Sequence, residues 1–461
     1  MDNKILAIDI GSSKICAAIA EVRNDEPRII GFGAQKSQGI KKGTIVNIEL
    51  ASQAIRNALI DAKRMADAEN INQAIVSISS SYTKSFNSSG VVSIANGGEI
   101  TIKEIGRALE TALYNSTVPV ECEVIHILPY KFKLDDQDFI EDPDGMTGSR
   151  LEVFTHIVAA KKSSLENIKK VVKLAGVEVE NIVLSSYASS IATLLEDEKE
   201  LGAACIDMGG STCEAMIYLG NSMRYNYFLG VGSQHITSDI AEAIHTSISA
   251  AEEIKIKYAD PDKFEDTAEF SDQSLEVPSI GTMKKHHVSL DTVQKVVHLR
   301  IVETFNILSQ AIKRSGLEDQ IGTLVLTGGM AKMVNIIKIA EVFFRIPIRI
   351  AKPIAIDGVL TEELQDESNA TIIGLILYGM GKHTNYERDS QKHIRYKKQR
   401  DSQKHFIQKG NEINHTDLRN LDRNFEKDEK SIEKPAIISQ QNQKKESKFW
   451  LAVKNFASKI F

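Results

Sequence analysis

Cysteine is scarce in this 461-residue chain, and its placement excludes two common stabilising devices. The four cysteines are scattered and form no CxxC pair or Cys/His cluster; they are Cys16, Cys122, Cys205 and Cys213. We therefore expect small, reduced, apolar side chains of a cytosolic protein, and neither a disulfide framework nor a metal site. With 42% apolar and 26% charged residues, the chain is globular in composition and long enough for more than one core.

Long apolar runs are also missing. No segment approaches the ~20 apolar residues that a membrane-spanning helix needs. The chain passes from Met1-Asp2-Asn3-Lys4 directly into a strand-like segment, without the basic and apolar regions of a secretory signal. We therefore predict that the protein is not integral to a membrane.

Positive charge is lacking in the body of the chain and concentrated at its end. Residues 382–461 contain 19 Lys and Arg against 11 Asp and Glu, which gives +8, whereas residues 1–381 carry a net charge of −14. An acidic body argues against nucleic-acid binding, which requires a basic face. A basic tail on an acidic body indicates an anionic partner such as a phospholipid surface.

Short β-branched runs alternate with amphipathic stretches over residues 1–381, which predicts an α/β architecture with a largely buried sheet. The predicted strands include Ile5–Ile10, Ile15–Val22, Ala74–Ser79, Ala203–Met208, Cys213–Leu219 and Leu324–Thr327. The predicted helices include Leu50–Ala68, Ser164–Ala175 and Asp291–Ser315, the last capped by Ser289 or Asp291 and ended by Gly316.

A strand–Asp-x-Gly-turn–strand unit occurs twice, about 200 residues apart. The first copy is Asp9-Ile10-Gly11-Ser12-Ser13-Lys14, and the second is Asp207-Met208-Gly209-Gly210-Ser211-Thr212. Either copy alone is compatible with an ordinary hairpin turn. The pair predicts two related halves, each presenting a carboxylate, a glycine turn and hydroxyls. A third loop, Thr327-Gly328-Gly329-Met330-Ala331, follows another apolar strand.

These loops have the properties of a site for a magnesium nucleotide. Glycine turns let backbone N–H groups approach phosphates, and carboxylates hold the hydration shell of Mg²⁺. The order and spacing of the three loops carry this prediction, because no single loop is specific.

The amino-acid composition changes after Gly381. Residues 382–443 are mostly polar, and Arg388-Asp389-Ser390-Gln391-Lys392-His393-Ile394 recurs as Arg400-Asp401-Ser402-Gln403-Lys404-His405-Phe406. This segment has too little apolar surface to offset the entropy of ordering, so it is predicted to be a disordered linker.

The last segment, residues 444–461, is predicted to be an amphipathic helix that binds a membrane surface. One arc contains Phe449, Trp450, Val453, Phe456, Ala457, Ile460 and Phe461, with Lys448 and Lys454 among the surrounding cations and Leu451 alone on the wrong face. An apolar face bordered by lysines is typical of interfacial helices. The alternative is a terminal helix docked on the protein's own core. The long polar segment before the helix favours the membrane.

The three loops resemble the phosphate-1, phosphate-2 and adenosine motifs of the actin/Hsp70/sugar-kinase superfamily. From Lys4 to about Gly381 the chain resembles the FtsA family of bacterial cell division proteins. Segments outside the loops carry this resemblance: Gly39–Gly43, Ile127–Pro129, Pro143–Leu151, Ile236–Ala241, Ala251–Lys255 and Asn369–Leu375.

The resemblance implies an actin-like, two-lobed fold of duplicated ribonuclease H-like domains with one inserted α+β subdomain. It divides the chain into subdomain 1A (1–81, 161–200 and 361–381), inserted subdomain 1C (82–160), subdomain 2A (201–230 and 301–360), subdomain 2B (231–300), the linker (382–443) and the terminal helix (444–461).

The resemblance also implies ATP and Mg²⁺ as cofactors. Asp9 and Asp207 would hold hydrated Mg²⁺. The phosphates would contact Gly11, Ser12, Ser13 and Lys14 from one half and Gly209, Gly210, Ser211 and Thr212 from the other. Glu252 and Lys255 would reach the ribose, and Gly328, Gly329 and Met330 would pass near the adenosine. Without the resemblance, Glu252 and Lys255 would be interpreted as a surface ion pair.

Three departures from the family pattern bear on activity. Ser211 stands where a third glycine is usual, Met330 where many relatives have glycine, and Ser185 where chaperone-type relatives have an acid. Because serine is a poor general base, we predict tight ATP binding with slow hydrolysis at most, and so no enzymatic role.

The partners implied by the resemblance are further copies of the chain in filaments, the C-terminal peptide of FtsZ at subdomain 2B, later division proteins at subdomain 1C, and anionic phospholipid. The implied location is the cytoplasmic face of the inner membrane at the division septum. A sugar or acetate kinase and a pilus-assembly ATPase-like protein are the alternatives, and neither needs an amphipathic terminus of its own.

Overall fold

The computed structural model describes residues 3–396, except residues 69, 80, 221, 264–273 and 281–284. The predicted terminal helix and all of the predicted linker beyond residue 396 lie outside the described residues. Within the described part of the chain, no helix has both the length and the apolarity needed to cross a membrane.

The strands follow the β-branched runs of the sequence. In chain order they are β1 (Asn3–Ile10), β2 (Lys14–Arg23), β3 (Glu26–Lys36), β4 (Ile40–Lys41), β5 (Thr44–Ile45), β6 (Gln73–Ile78), β7 (Thr83–Ser93), β8 (Cys122–Leu134), β9 (Gln137–Ile140), β10 (Arg150–Lys161), β11 (Glu178–Leu184), β12 (Ala203–Met208), β13 (Cys213–Leu219), β14 (Ser222–Leu229), β15 (Ser274–Pro278), β16 (Lys285–Ser289), β17 (Thr323–Thr327), β18 (Ile348–Ile350), β19 (Asp357–Gly358), β20 (Glu387–Arg388) and β21 (Ile394–Arg395).

Several of the helices begin at a polar residue whose side chain caps the first turn. They are α1 (Ile48–Ala66), α2 (Ile102–Asn115), α3 (Lys162–Leu174), α4 (Ser185–Thr193), α5 (Glu196–Leu201), α6 (Ser233–Ala243), α7 (Ile248–Tyr258), α8 (Leu290–Arg314), α9 (Ile336–Phe343), α10 (Thr361–Leu364) and α11 (Ala370–Gly379). Ser289 caps α8 through its side chain, as predicted, and Gly316 follows the helix end with a φ of +70°.

The two halves of the body contain the same sheet. In the first lobe the strand order is β3-β2-β1-β6-β11, with the short β19 added beside β3, and in the second lobe it is β14-β13-β12-β17-β18. In both, the first three strands are antiparallel hairpin neighbours, and the central strand then pairs in parallel with the next one. The predicted duplication is therefore confirmed at the level of topology.

Helices α4 and α11 join the lobes. Every residue of α4 is buried, and α11 is buried from Ala370 to Tyr378. The two helices approach closely because Gly374 lies against α4, where a Cβ would come within 1.8 Å of the carbonyl oxygen of Ala188. This pair forms the floor from which the cleft between the lobes opens.

The predicted α+β insertion is a separate sheet with its own core. Its strand order is β21-β20-β8-β10-β7, with β9 beside β8. Helix α2 begins at a capping box of Thr101 and Glu104 and packs Ile105, Ala108 and Leu109 into this core.

Three predicted boundaries need correction. The linker does not begin at residue 382, because residues 382–396 are ordered against the body and supply β20 and β21 to the inserted sheet. The return to the first lobe precedes residue 361, since β19 pairs with β3. Finally, α8 runs unbroken through residue 300, where the boundary between subdomains 2B and 2A was expected.

Candidate nucleotide site

The two Asp-bearing hairpins face one cleft between the lobes. Asp9 lies near the end of β1, and Asp207 lies near the end of β12. Both line a cleft of about 330 Å³, together with residues of both hairpins and of the loop that follows β17. Because the two sheets are equivalent, this arrangement places the same turn at the same end of each central strand.

The first hairpin positions a carboxylate and an ammonium group at the cleft. The Asp9 carboxylate accepts a hydrogen bond from Ser77 Oγ at 2.8 Å, and burial raises the pKa of Asp9 although Ser77 and the nearby Lys14 oppose the shift. Lys14 Nζ donates to Ser368 Oγ at 2.9 Å and to Asn369 Oδ1 at 2.5 Å. Lys14 thereby ties the hairpin to the segment that precedes α11.

The second hairpin presents a second buried carboxylate. Burial raises the pKa of Asp207 to about 6, and the negative charge of Asp9 acts in the same direction. Thr371 Oγ1 donates to Asp207 Oδ2 at 3.4 Å. Gly328 packs directly against this carboxylate, since a Cβ there would lie 2.5 Å from Asp207 Oδ1, and its φ of +86° also favours glycine.

The phosphate loops of the two lobes touch each other across the cleft. The approach is close at Gly210, where a Cβ would lie 1.8 Å from Ser13 Oγ and would force that hydroxyl to move. Gln234, at the start of α6, accepts a hydrogen bond from Ser211 Oγ at 2.6 Å and donates weakly to Ser13 Oγ at 3.3 Å. Gln234 therefore bridges the loops, and the sequence analysis did not find it because it lies outside every turn motif.

A third buried carboxylate, Glu214, was also missed. Burial raises the pKa of Glu214 to about 7, and the charge of Asp207 adds to the effect while the nearby Ser79 and Ser186 oppose it. Glu214 is the cross-strand partner of Asp207 in the β12–β13 hairpin, whereas the equivalent partner of Asp9 is Cys16. The hairpin register could have identified it, because a tight turn fixes which residues stand opposite each other.

The two residues predicted to reach the ribose, Glu252 and Lys255, are one turn apart on α7. They do not line the cleft. Lys255 Nζ is buried and donates to Ser233 Oγ at 2.6 Å, Thr237 Oγ1 at 2.9 Å and Glu252 Oε2 at 2.8 Å. Since Ser233 itself lines the cleft, this pair supports the cleft wall, and direct contact with ribose stays a prediction.

Twelve of the fifteen predicted nucleotide-site residues are brought to the cleft. They are Asp9, Gly11, Ser12, Ser13, Lys14, Asp207, Gly209, Gly210, Thr212, Gly328, Gly329 and Met330. Ser211 lies just behind them and has no positive φ, which explains why a serine is tolerated where a third glycine is usual. Met330 is 2% exposed and follows the close turn at Gly328. Ser185, at the start of α4, also lines the cleft.

The donor set fits magnesium held through water. Two facing carboxylates of raised pKa provide hard oxygen ligands and gain from a nearby cation. Within the described residues, no group of three or more His, Cys, Asp or Glu side chains forms a metal site by itself. The ion would therefore need phosphate oxygens and water to complete its coordination.

The predicted membrane-binding residues, from Lys448 to Phe461, cannot be placed in the same way, because they lie outside the described residues. The structure therefore leaves the terminal helix as a prediction from the sequence.

Two lobes built on one duplicated sheet, with an Asp-bearing hairpin from each facing a common cleft, define an actin-like protein. A solved structure titled "PilM-PilN type IV pilus biogenesis complex" shares the fold, with a TM-score of 0.59 and 15% identity over 82% of this chain and 98% of that one.

The chain belongs to the FtsA family of cell division proteins. It is 43% identical over 420 residues to the cell division protein FtsA of Helicobacter pylori strain J99, with 85% of each chain covered. The FtsA of Pseudomonas aeruginosa is 35% identical, covering 83% of this chain and 90% of that protein, and the Escherichia coli K12 protein is 30% identical, covering 85% and 93%.

Two family models match separate parts of the chain. The model described as "Cell division protein FtsA" matches residues 204–374, and the model described as "SHS2 domain inserted in FTSA" matches residues 80–159. The second range contains β7, β8, β9, helix α2 and most of β10, whereas β20 and β21 of the same sheet lie outside it.

Proposed function

We propose that this protein binds ATP with Mg²⁺ between its lobes, self-associates into actin-like filaments and anchors FtsZ filaments to the inner face of the cytoplasmic membrane at the division septum. The observation that carries the proposal is the pair of facing hairpins, with Asp9 and Asp207 lining one cleft. The duplicated sheets place both turns where a single nucleotide would meet them.

In this proposal the hairpins divide the nucleotide between the lobes. Backbone N–H groups around Gly11 and Gly209 face the phosphates, and the hydroxyls of Ser12, Ser13 and Thr212 add donors. Asp9 and Asp207 hold Mg²⁺ through water, and the bound ion offsets the charge of the phosphates. Because Gln234 joins the same loops across the cleft, a nucleotide that enters between them must displace or reorient that amide.

ATP hydrolysis is expected to be slow. Ser185 lines the cleft at the start of α4, and its neutral hydroxyl is too weak a base to take a proton from water. The protein therefore acts as an adaptor whose nucleotide regulates assembly. Phosphate release at several turnovers per second by purified protein would contradict this.

The terminal segment is the proposed membrane contact. Burial of Trp450, Phe449, Phe456 and Phe461 at ~1.5–3 kcal/mol each would offset the cost of ordering a short helix. Lysines on its flanks add about 1 kcal/mol each near an anionic surface. A single helix binds reversibly, and filament formation would strengthen attachment by avidity.

The remaining partners are assigned to subdomain 2B, which contributes Ser233 to the cleft wall, and to the inserted sheet. Residues 231–300 are the proposed receptor for the C-terminal peptide of FtsZ. The inserted sheet is the proposed surface for self-association and for recruitment of later division proteins. Its separate core supports this, because a surface mounted on an independent sheet can bind a partner without disturbing the cleft.

The experiment is flotation with liposomes that contain anionic phospholipid, with and without ATP and an FtsZ C-terminal peptide. Wild-type protein should float and should carry the peptide with it. Trp450→Glu should abolish flotation and leave ATP affinity unchanged, because it affects only the apolar face. Leu451→Glu, on the opposite face, is the matched control and should retain most binding. Undiminished flotation of Trp450→Glu would refute the anchor.

A further inference from the structure

The repeated heptapeptide is not explained by the proposed function, and its first copy is folded. Residues Arg388–Ile394 form a tight hairpin in which β20 pairs with β21, and β20 extends the inserted sheet beside β8. Asp389 organises the turn: its Oδ1 accepts from the backbone N–H groups of Gln391 and His393, both at 2.9 Å. The fold of this copy is therefore encoded largely within the motif itself.

The body contains a buried receptor for the Asp-Ser pair of this motif. Asn181 on β11 is 2% exposed; its Nδ2 donates to Asp389 Oδ2 at 2.8 Å, and its Oδ1 accepts from Ser390 Oγ at 2.5 Å. The backbone N–H of Ile182 donates to Ser390 Oγ at 2.9 Å. Two adjacent residues of the motif thus satisfy the N–H and the oxygen of the buried Asn181 amide and the backbone N–H of Ile182 on the edge strand β11.

The apolar end of the motif has a receptor as well. Ile394 packs against the core of the inserted subdomain, and Gly106 on α2 leaves room for it, since a Cβ there would lie 2.9 Å from Ile394 Cδ1. Ile394 is only half-buried, so one side of the pocket opens to solvent. A larger apolar side chain can extend in that direction.

The second copy, residues 400–406, repeats six of the seven residues and has Phe406 in place of Ile394. Asp401 and Ser402 therefore carry the same carboxylate and hydroxyl groups as Asp389 and Ser390. We propose that residues 400–406 are an alternative occupant of this receptor on the same chain, exchanging with residues 388–394.

The residues on either side of each copy determine which copy occupies the receptor most of the time. Glu387 is fully buried and hydrogen-bonded, and its counterpart is Gln399. Arg395 lies over the ring of Tyr378 at 4.4 Å, and its counterpart is Ile407. Since the second copy reproduces the contacts within the motif but not those of its flanks, the first copy is the major occupant.

The second copy begins 12 residues after the first. If it replaced the first copy in the receptor, the chain between the body and the terminal segment would be 12 residues shorter. If the proposed membrane function holds, this shortens the maximum reach by about 40 Å, at roughly 3.4 Å per residue. The exchange itself is independent of that function and can be tested without a membrane.

Disulfide trapping in the full-length protein tests the exchange. Gly106→Cys combined with Ile394→Cys reports the first copy, and Gly106→Cys combined with Phe406→Cys reports the second. Asn411→Cys, outside the repeat, gives the background from chance encounters. The native cysteines are buried and will not compete. When Asp389→Ala and Ser390→Ala weaken the first copy, the 106–406 disulfide should form at least about tenfold faster than the 106–411 disulfide.

Two matched variants test whether faster formation of the 106–406 disulfide depends on docking of the second copy. Adding Asp401→Ala and Ser402→Ala should return the 106–406 rate to background, and Asn181→Ala should do the same by removing the receptor. The proposal is overturned if the 106–406 disulfide forms at the background rate in the protein with the weakened first copy. It is also overturned if the rate is unchanged when Asp401 and Ser402 are replaced by alanine. A disulfide found only in dimers would mean that the second copy docks on another chain, which also overturns it.

Discussion

Removal of the Glu387 carboxylate is expected to lower the free energy of unfolding substantially. Glu387 is fully buried and accepts hydrogen bonds from His126 Nδ1 at 2.7 Å, Tyr378 OH at 2.8 Å and Tyr187 OH at 2.9 Å. Burial opposes ionisation, but the contacts with His126 and Tyr378 hold the pKa of Glu387 below its usual value. This one side chain joins the inserted sheet, α4, α11 and the segment after α11.

Glu387→Ala removes the acceptor of three buried donors, of which Tyr187 OH can still donate to Thr384 Oγ1 at 3.1 Å. An unsatisfied buried polar group costs about 1–3 kcal/mol, and removing one partner of a buried charged cluster typically costs about 3–5 kcal/mol. We expect a loss of about 4 kcal/mol in the free energy of unfolding, which is a large part of the stability of most domains. Glu387→Gln keeps one acceptor oxygen and should lose about half as much.

Urea unfolding monitored by circular dichroism measures this loss, and trypsin cleavage after Arg388 and Lys392 reports whether the segment detaches first. Glu178→Ala is the control, because the ion pair of Glu178 with Lys173 is mostly exposed and should contribute only about 0–1 kcal/mol. If Glu387→Ala unfolds within 1 kcal/mol of wild type and its trypsin sites stay protected, the role given to this carboxylate is wrong.

Two further predictions concern the cleft. The folded state holds the proton of Glu214 up to about pH 7, whereas the ordinary value is 4.5, so the folded state binds more protons between these values and stability should fall as pH rises through them. Glu214→Gln should flatten this dependence when melting temperatures are compared at several pH values; an unchanged slope would contradict the raised pKa. Gly328→Ala should weaken ATP binding at least about tenfold in equilibrium dialysis, since a left-handed φ and a close carboxylate both resist a side chain. Gly316→Ala, with a similar φ but open space around it, is the control, and equal affinities of the two variants would argue against the contact.

Many of the strands and helices could be predicted from local sequence patterns. The strands Ala203–Met208 and Cys213–Leu219 were predicted with their observed bounds, and the cap of α8 at Ser289 was one of two predicted positions. These features depend on side-chain alternation, helix faces and caps, which are properties of neighbouring residues. The duplicated Asp-x-Gly turns extended the prediction to two facing lobes, because the repeat of a short motif implies a repeat of the sheet around it.

The candidate site was predictable where a turn motif marked it and unpredictable where a distant element supplied the residue. Ser185 reaches the cleft from the start of α4, and Glu214 reaches it through the pairing of β12 with β13. Gln234, at the start of α6, contacts the two phosphate loops that border the cleft. Conversely, Lys255 has the spacing of a surface ion pair but is buried against Ser233 and Thr237.

Local sequence was enough to predict the two Asp-bearing hairpins, because each turn motif and its flanking strands lie within a few neighbouring residues. The acidic body and the basic tail follow from composition, and the apolar face of the last segment stays a prediction. That residues 382–396 belong to the body is evident only in the folded chain. That segment is polar and has no periodicity, and its order comes from Asn181, His126 and Tyr187, which lie about 200 residues or more before it in the chain. Buried donors and acceptors select a polar partner by geometry, and geometry of that kind exists only once the sheets and helices that hold those groups have assembled.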